Sequence, residues 1–170
     1  MDNVILQCTN LCKNYGKKQA LSNLNLSLYK GRIIGLLGPN GSGKTTFIKI
    51  LNGLLTPTSG EALIEGNKIG IESKKLISYL PDCVSLPEWM KISDLINFYK
   101  DFYEDFNIEK AYIMLENLNI NPGDKFKTLS KGNKEKVQLI LVMSRETKLY
   151  LLDEPMGGVD PATRDYIRSE

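Results

Sequence analysis

The clearest chemistry in this sequence lies in eight consecutive residues, Gly38-Pro39-Asn40-Gly41-Ser42-Gly43-Lys44-Thr45. They match the pattern G-x-x-x-x-G-K-S/T, in which glycines let the backbone curl so that successive N–H groups point at a phosphate. A helix that begins near Lys44 would add its positive N-terminal end, and the Lys44 ammonium would add a point charge. The Thr45 hydroxyl is a suitable Mg²⁺ ligand. The alternative is a glycine turn that matches by chance, but an apolar run before the loop and a helical pattern after it favour a nucleoside triphosphate site.

A second motif consists of four apolar residues followed by two carboxylates, Asp153 and Glu154. A buried strand of this kind delivers acidic groups to its C-terminal end, where ligands of parallel sheets bind. Asp153 is predicted to hold Mg²⁺ through water, and Glu154 to orient and polarise an attacking water. An ordinary strand end with an Asp-Glu-Pro turn is the alternative. Together with the phosphate loop, the pair indicates a Mg²⁺-dependent hydrolase of nucleoside triphosphates.

Composition excludes several other chemistries. The chain has 170 residues, 22 Lys+Arg against 20 Asp+Glu, a net charge of +2 and no histidine. Histidine-based triads, Cys-His pairs and imidazole-bound zinc are therefore excluded, and the balanced charge predicts no nucleic-acid partner. Cys8, Cys12 and Cys83 show no disulfide spacing, which indicates a reducing compartment. Cys8 and Cys12 could form a metal pair, but no other ligands cluster near them, which favours small buried side chains. Neither a signal peptide nor an apolar run of ~20 residues is present, so we expect a cytoplasmic protein.

The hydrophobic pattern alternates between strands and helices. Strands are predicted over residues 4–11, 24–29, 33–37, 61–65 and 148–152, and helices over residues 45–54, 93–106, 108–118 and 134–145. The run 33–37 is apolar throughout, as expected for a strand that is covered on both faces. This order predicts an α/β fold around a largely parallel sheet, with a helical lobe inserted between strands. Five aromatic residues in that lobe recur at helical spacing and are interpreted as core: Phe98, Tyr99, Phe102, Tyr103, Phe106.

Three further segments carry a resemblance to a known family. These are Leu129-Ser130-Lys131-Gly132-Asn133 at a helix start, Leu151-Leu152-Asp153-Glu154-Pro155, and Gly158-Val159-Asp160. Their order after the phosphate loop resembles the ATP-binding domain of ABC transporters. The resemblance implies a P-loop NTPase fold with a mostly parallel core sheet, an N-terminal antiparallel β-subdomain and a helical subdomain at about 84–145. It also implies one domain over residues 1–170 that lacks its C-terminal part, because no switch histidine follows Asp160.

The resemblance assigns roles by position. Tyr15 would stack on adenine, although a plain surface tyrosine is the alternative, and Thr46 would join the phosphate-loop residues on ATP and Mg²⁺. Ser130 and Gly132 would contact the ATP of a second protomer, and Asp160 would link the two sites. Trp89 and Tyr99 would line a groove for a helix of the membrane subunit, as the alternative to a place in the core. Glu154, Lys44 and Asp82 are the implied catalytic set, and Thr45, Asp82 and Asp153 the implied metal ligands.

Two residues depart from the family pattern. Asp82 stands where the family usually has a glutamine, and a carboxylate can bind Mg²⁺ or water but donates no hydrogen bond unless protonated. Lys131 replaces a glycine of the signature segment, where it would lie near the partner's nucleotide or point into solvent. The departure at Asp82 predicts altered sensing of Mg²⁺ and the γ-phosphate.

The resemblance implies an ATPase subunit of the exporter branch. It would form a head-to-tail homodimer around Mg-ATP and lie on the inner face of the membrane through a separate permease subunit. Without a switch histidine, this chain is expected to bind ATP and hydrolyse it weakly. A soluble ABC-type ATPase acting on ribosomes or DNA is the alternative, and a GTPase or small-molecule kinase is a third class.

Overall fold

The computed structural model describes residues 3–82 and 86–153. The chain divides into an N-terminal unit, Met1–Ile77, and a C-terminal unit, Ser78–Glu170. The strands are β1 Val4–Tyr15, β2 Lys18–Tyr29, β3 Ser59–Ile64, β4 Asn67–Lys68, β5 Ile77–Leu80 and β6 Leu149–Leu152. The helices are α1 Lys44–Leu51, α2 Ile71–Lys75, α3 Ile92–Phe102, α4 Ile108–Asn117 and α5 Lys131–Met143. No helix within these residues has both the length and the apolar character needed to cross a bilayer.

An antiparallel sheet in the order β2-β1-β3-β4 forms most of the N-terminal unit. On the central strand β1, buried Leu6 and Cys8 alternate with exposed Gln7 and Thr9, so one face of the strand points into a core. Leu6 is opposite Leu28 on β2 and Ile64 on β3, which places three apolar side chains across the sheet. The predicted strands at 4–11, 24–29 and 61–65 are confirmed.

The predicted strand at residues 33–37 is wrong. These residues have no regular secondary structure, and Ile33 and Leu37 are 89% and 92% exposed. A short apolar run becomes a strand only when a neighbouring strand satisfies its backbone hydrogen bonds. None of the described strands pairs with residues 33–37, so their apolar composition alone predicted a burial that the structure does not show.

Two parallel strands, β5 and β6, lie in the C-terminal unit beside α5. The Asp153 N–H, directly after β6, donates to the Leu80 carbonyl at the end of β5 (2.9 Å), so the two C-terminal strand ends lie side by side. Leu80 packs against Leu139 and Val142 of α5. Together with the antiparallel sheet, this arrangement confirms the predicted α/β class, although the sequence pattern had not predicted β5.

The three predicted helices of the lobe are confirmed as α3, α4 and α5, and they share one core. Buried members from each include Leu95, Met114 and Ile140. The aromatic stripe is divided between core and surface. Phe106 is buried and Tyr99 packs against the same core, whereas Phe98 and Phe102 of α3 are exposed. The core interpretation is therefore wrong for the last two, because they point to the outer side of α3.

Candidate functional site

The phosphate loop is closed on itself by the side chain of Lys44. Its ammonium donates to the carbonyl oxygens of Gly38 (2.8 Å) and Pro39 (3.1 Å). A further backbone bond, from the Ser42 N–H to the Pro39 oxygen (3.2 Å), tightens the turn. The ammonium is thus held against the start of the loop by neutral acceptors, and a phosphate would offer it a charged acceptor and a stronger hydrogen bond.

Two glycines have backbone conformations that side chains disfavour. Gly43 precedes α1 with φ 97°, and Gly41 has φ 80°. A Cβ on Gly43 would lie 2.4 Å from the Ala20 carbonyl oxygen on β2, whereas one on Gly41 would meet nothing within 4 Å. Glycine is therefore needed at position 43 for two reasons, the backbone conformation and the close approach of β2. This close approach fixes the loop against the antiparallel sheet.

The first turn of α1 presents the hydroxyl groups that the motif predicts. Thr45 is exposed and Thr46 is half-buried, and the remaining loop residues Asn40 and Ser42 are exposed. No acidic residue lies in the first turn of this helix. The positive end of the helix is therefore not neutralised by its own side chains, which favours an anion at this position.

Tyr15, the predicted adenine contact, lies at the tip of the β1–β2 hairpin, where it pairs with Lys18. The Lys13 ammonium lies 5.3 Å from the centre of the Tyr15 ring and also donates to the Thr56 carbonyl oxygen (2.7 Å). Lys13 covers part of one ring face, yet the residue remains 46% exposed. The hairpin that carries Tyr15 is also the one that contacts Gly43, so the structure places both predicted sites in the same unit.

The predicted acidic residues of the C-terminal unit lie at the ends of its two strands. Asp153 is 4% exposed, whereas Asp82, which follows β5, is exposed. Burial raises the pKa of Tyr79, and the negative charges of Asp153 and Asp82 raise it further. The two predicted acids thus follow the adjacent ends of β6 and β5, and both act electrostatically on the Tyr79 phenol.

Tyr79 was not among the residues that the sequence pattern predicted. A signal for it exists, because Ile77–Leu80 is a short apolar strand followed by Pro81 and Asp82, much as Leu149–Leu152 is followed by Asp153. Two strand-then-acid segments predict two neighbouring strand ends in a parallel sheet.

The signature segment forms the N-terminus of α5. The Ser130 hydroxyl caps the helix by accepting the Asn133 N–H (3.2 Å), and Gly132 lies half-buried in the first turn. The Lys131 side chain is 89% exposed, with its ammonium 3.9 Å from a Glu135 carboxylate oxygen. In this structure Lys131 thus points into solvent, which was one of its two expected positions. The predicted residues Glu154 and Asp160 lie outside the described residues.

Comparisons with known proteins show which family this chain resembles. The family model described as "ABC transporter" matches residues 21–157. The uncharacterized ABC transporter ATP-binding protein YcbN of Bacillus subtilis is 33% identical over 169 residues, covering 96% of this chain and 55% of YcbN. The SkfA peptide export ATP-binding protein SkfE of the same organism is 33% identical over 170 residues, covering 96% of this chain and 71% of SkfE. The chain thus spans about half the length of several relatives that it matches.

A solved structure gives the same result. A putative ABC transporter ATP-binding protein from Pyrococcus furiosus superimposes with a TM-score of 0.84 at 26% identity, covering 96% of this chain and 82% of that chain. The family model, the relatives and the fold agree, and the chain belongs to the ABC transporter family, with the fold of its ATP-binding domain.

Proposed function

We propose that this chain binds Mg-ATP, hydrolyses the bond between its β- and γ-phosphates and thereby drives a transporter. The observation that carries the proposal is the phosphate loop. Its glycines hold left-handed conformations, its lysine is already bound to loop carbonyls, and it opens onto a helix end without an acidic side chain. Each of these features favours a polyphosphate over an uncharged ligand.

Nucleotide binding is assigned to the N-terminal unit. The loop N–H groups and Lys44 would hold the β- and γ-phosphates, with Lys44 exchanging its bonds to Gly38 and Pro39 for bonds to phosphate oxygens. Tyr15 would stack on adenine through the face that Lys13 leaves open. Stacking by one tyrosine makes no contact that reads the edge of the base, so the phosphates would supply most of the affinity.

The donor set fits Mg²⁺. This ion prefers a few oxygen ligands from the protein and keeps several waters. The candidate ligand in the N-terminal unit is the Thr45 hydroxyl, and those in the C-terminal unit are the carboxylates of Asp153 and Asp82. Among the residues that the structure describes, no group of three or more acidic or thiol side chains offers a larger all-protein site. When bound, Mg²⁺ would neutralise developing charge on the phosphate oxygens.

Hydrolysis needs a positioned water, and this role is assigned to Glu154. A carboxylate at that position would accept a proton from the water while Lys44 stabilises the charge that grows on the transferred phosphoryl group. Asp82 would accept a hydrogen bond from the same water network but would not donate one while ionised. We therefore expect turnover to be slow relative to a chain with an amide at this position.

The assembly proposed is a head-to-tail homodimer. Ser130 and Gly132 would face the nucleotide of the second protomer, since the N-terminus of α5 also has no acidic residue in its first turn. Asp160 would connect the two sites. A separate permease subunit would hold the dimer at the inner face of the membrane, and the export name of the SkfE relative supports export as the direction.

The test is Glu154→Gln in the full-length protein, with Glu109→Gln on α4 as the matched control. We expect Glu154→Gln to retain ATP binding, to lose hydrolysis by at least about 100-fold and to accumulate an ATP-dependent dimer in size-exclusion chromatography. The control should behave like the unaltered protein. Unchanged turnover in Glu154→Gln would contradict the assignment, and co-sedimentation with ribosomes rather than membranes would contradict the transport role.

A further inference from the structure

The long segment around the phosphate loop carries charges of a single sign. From Asn3 to Gly60 the sequence has no Asp or Glu, although an even distribution of the 20 acidic residues of this chain would place about seven there. The same segment has seven basic residues: Lys13, Lys17, Lys18, Lys30, Arg32, Lys44, Lys49. The phosphate loop is therefore surrounded in sequence by cations alone.

Two of these cations lie near the loop in space, at the tip of the β1–β2 hairpin. Lys17 is in the turn and Lys18 begins β2, and both residues are exposed. The carbonyl oxygen of Ala20, two positions after Lys18, lies so close to Gly43 that a Cβ there would be 2.4 Å away from it. Because two positions along a strand span about 7 Å, the start of β2 lies beside the phosphate loop.

The charge of the hairpin tip is not neutralised by a neighbouring side chain. Neither Lys17 nor Lys18 takes part in an ion pair or a side-chain hydrogen bond with any residue that the structure describes. Glu61, the first acidic residue after this segment, pairs on β3 with Thr9, which lies six positions before Tyr15 on β1. Six positions span about 20 Å, twice the distance of about 10 Å over which charges act at 0.1 M salt. The positive charge of the tip is therefore not offset by Glu61.

A charge of this kind acts on an anion before any bond forms. Cations beside a site raise the local concentration of an anionic ligand and its association rate by about 10- to 1000-fold, whereas dissociation depends on the short-range bonds of the complex. We propose that Lys17 and Lys18 steer the nucleotide to the phosphate loop, so that they raise its association rate without bonding to it in the complex. The inference rests on the proposed function, because it takes an anionic nucleotide as the ligand of the loop.

The test measures how fast a fluorescent ATP analogue binds the full-length protein in stopped-flow mixing at constant Mg²⁺. The double variant Lys17→Gln/Lys18→Gln removes both charges, and we expect its association rate constant at about 0.1 M salt to fall about fivefold. Its dissociation rate constant should stay within about twofold of that of the unaltered protein. At about 1 M salt, where charges act over only about 3 Å, the association rate constants of the two proteins should agree.

Two controls separate steering from other effects. The double variant Lys17→Arg/Lys18→Arg keeps both charges and should bind as fast as the unaltered protein. The variant Lys68→Gln removes an exposed ammonium group from β4, at the edge of the sheet opposite β2. Three strand spacings, about 14 Å, separate β4 from β2, so this change should leave the association rate constant unaltered at about 0.1 M salt.

Four results would overturn the inference. An unchanged association rate constant in the Gln double variant would do so while leaving the proposed function standing. Faster dissociation with unchanged association would make the two lysines ligands of the bound nucleotide, and slow association of the Arg double variant would show that charge is not the cause. Equal slowing in Lys68→Gln would mean that the net charge of the unit, rather than the hairpin tip, attracts the nucleotide. Absence of ATP binding by the unaltered protein would instead overturn the proposed function and the inference with it.

Discussion

The two units hold their functional groups in different ways. In the N-terminal unit, Lys44 is bound to a carbonyl six positions away, and the loop closes almost entirely through its own residues. In the C-terminal unit, Asp153 follows β6. The neighbouring strand β5 is held on α5 by the hydrogen bond from Ser78 to Val142, which lie 64 positions apart in the sequence. The loop is thus a local structure, whereas the acidic strand end is a product of the tertiary fold.

This difference has a thermodynamic consequence. Local bonds close short loops at a small cost in chain entropy, so the phosphate loop needs little help beyond the contact between Gly43 and β2. The carboxylate depends on the pairing of β5 with β6 and on the α5 core. Substitutions should therefore damage the functional groups of the two units by separate routes, and the following experiments probe the units one at a time.

The largest effect is expected for Gly43→Ala. Its Cβ would meet the Ala20 carbonyl oxygen at 2.4 Å while φ stays at 97°, so we expect the N-terminal unit to lose at least about 3 kcal/mol of unfolding free energy. Hydrogen exchange should show loss of protection in β1 and β2 with little change in α3–α5. The matched variant Gly41→Ala, with open space around its Cβ, should cost about 1 kcal/mol. Equal losses would contradict the role of the β2 contact.

The C-terminal unit should respond most to Asp105→Ala. Asp105 accepts two bonds from the buried Arg145 guanidinium, at 3.0 Å each, and Arg145 also lies over the Tyr103 ring. Removing the carboxylate leaves a buried cation without this counter-charge, which should cost about 3 kcal/mol in urea unfolding. The exposed pair Glu72–Lys75 is the control, and Glu72→Ala should cost less than about 0.5 kcal/mol. A loss as small as that of the control would show that Asp105 and Arg145 do not stabilise the unit.

The same contrast explains what the sequence could predict. The irregular loop after residue 37 and the helix that follows it could be predicted from the sequence, because the shape of the loop depends on adjacent residues. Residues 33–37 were predicted as a buried strand, but they are exposed. The prediction failed because strand pairing depends on neighbouring strands, which local composition does not reveal. Tyr79 was missed for a related reason, since its relation to Asp153 exists only after β5 and β6 align.

A pH experiment addresses the core of the helical lobe. Burial, with a further contribution from Tyr103 and an opposing one from Arg145, raises the pKa of Tyr99 to about 12 from 10.0. Because the pKa of Tyr99 is higher in the folded chain than in the unfolded chain, the protonated phenol contributes to the free energy of unfolding. This contribution is complete below pH 10 and is lost as the pH rises toward 12. Relative to Tyr99→Phe, the unaltered chain should therefore lose about 2 kcal/mol more between those values. Parallel pH profiles of unfolding would contradict the burial of this phenol.

The smallest effect is expected for the signature helix. The Ser130 hydroxyl accepts the Asn133 N–H (3.2 Å), and Ser130→Ala should cost about 1 kcal/mol of unfolding free energy. Ser130→Asp should retain the cap and the stability but place a negative charge where a partner's phosphate would lie. ATP-dependent dimerisation should therefore fail in Ser130→Asp although the monomer folds. Normal dimerisation of that variant would contradict the proposed contact between the signature helix and the nucleotide of the second protomer.

The most direct test of the central claim is ATP binding by Lys44→Ala, measured with a fluorescent ATP analogue and compared with Lys49→Ala. Both variants remove one lysine from α1, but only Lys44 is bound to the phosphate loop. We predict that Lys44→Ala weakens binding by about 100-fold and that Lys49→Ala leaves the Kd within about twofold of the unaltered protein. Equal affinity in the two variants would contradict the assignment of Lys44 and its loop as the nucleotide site.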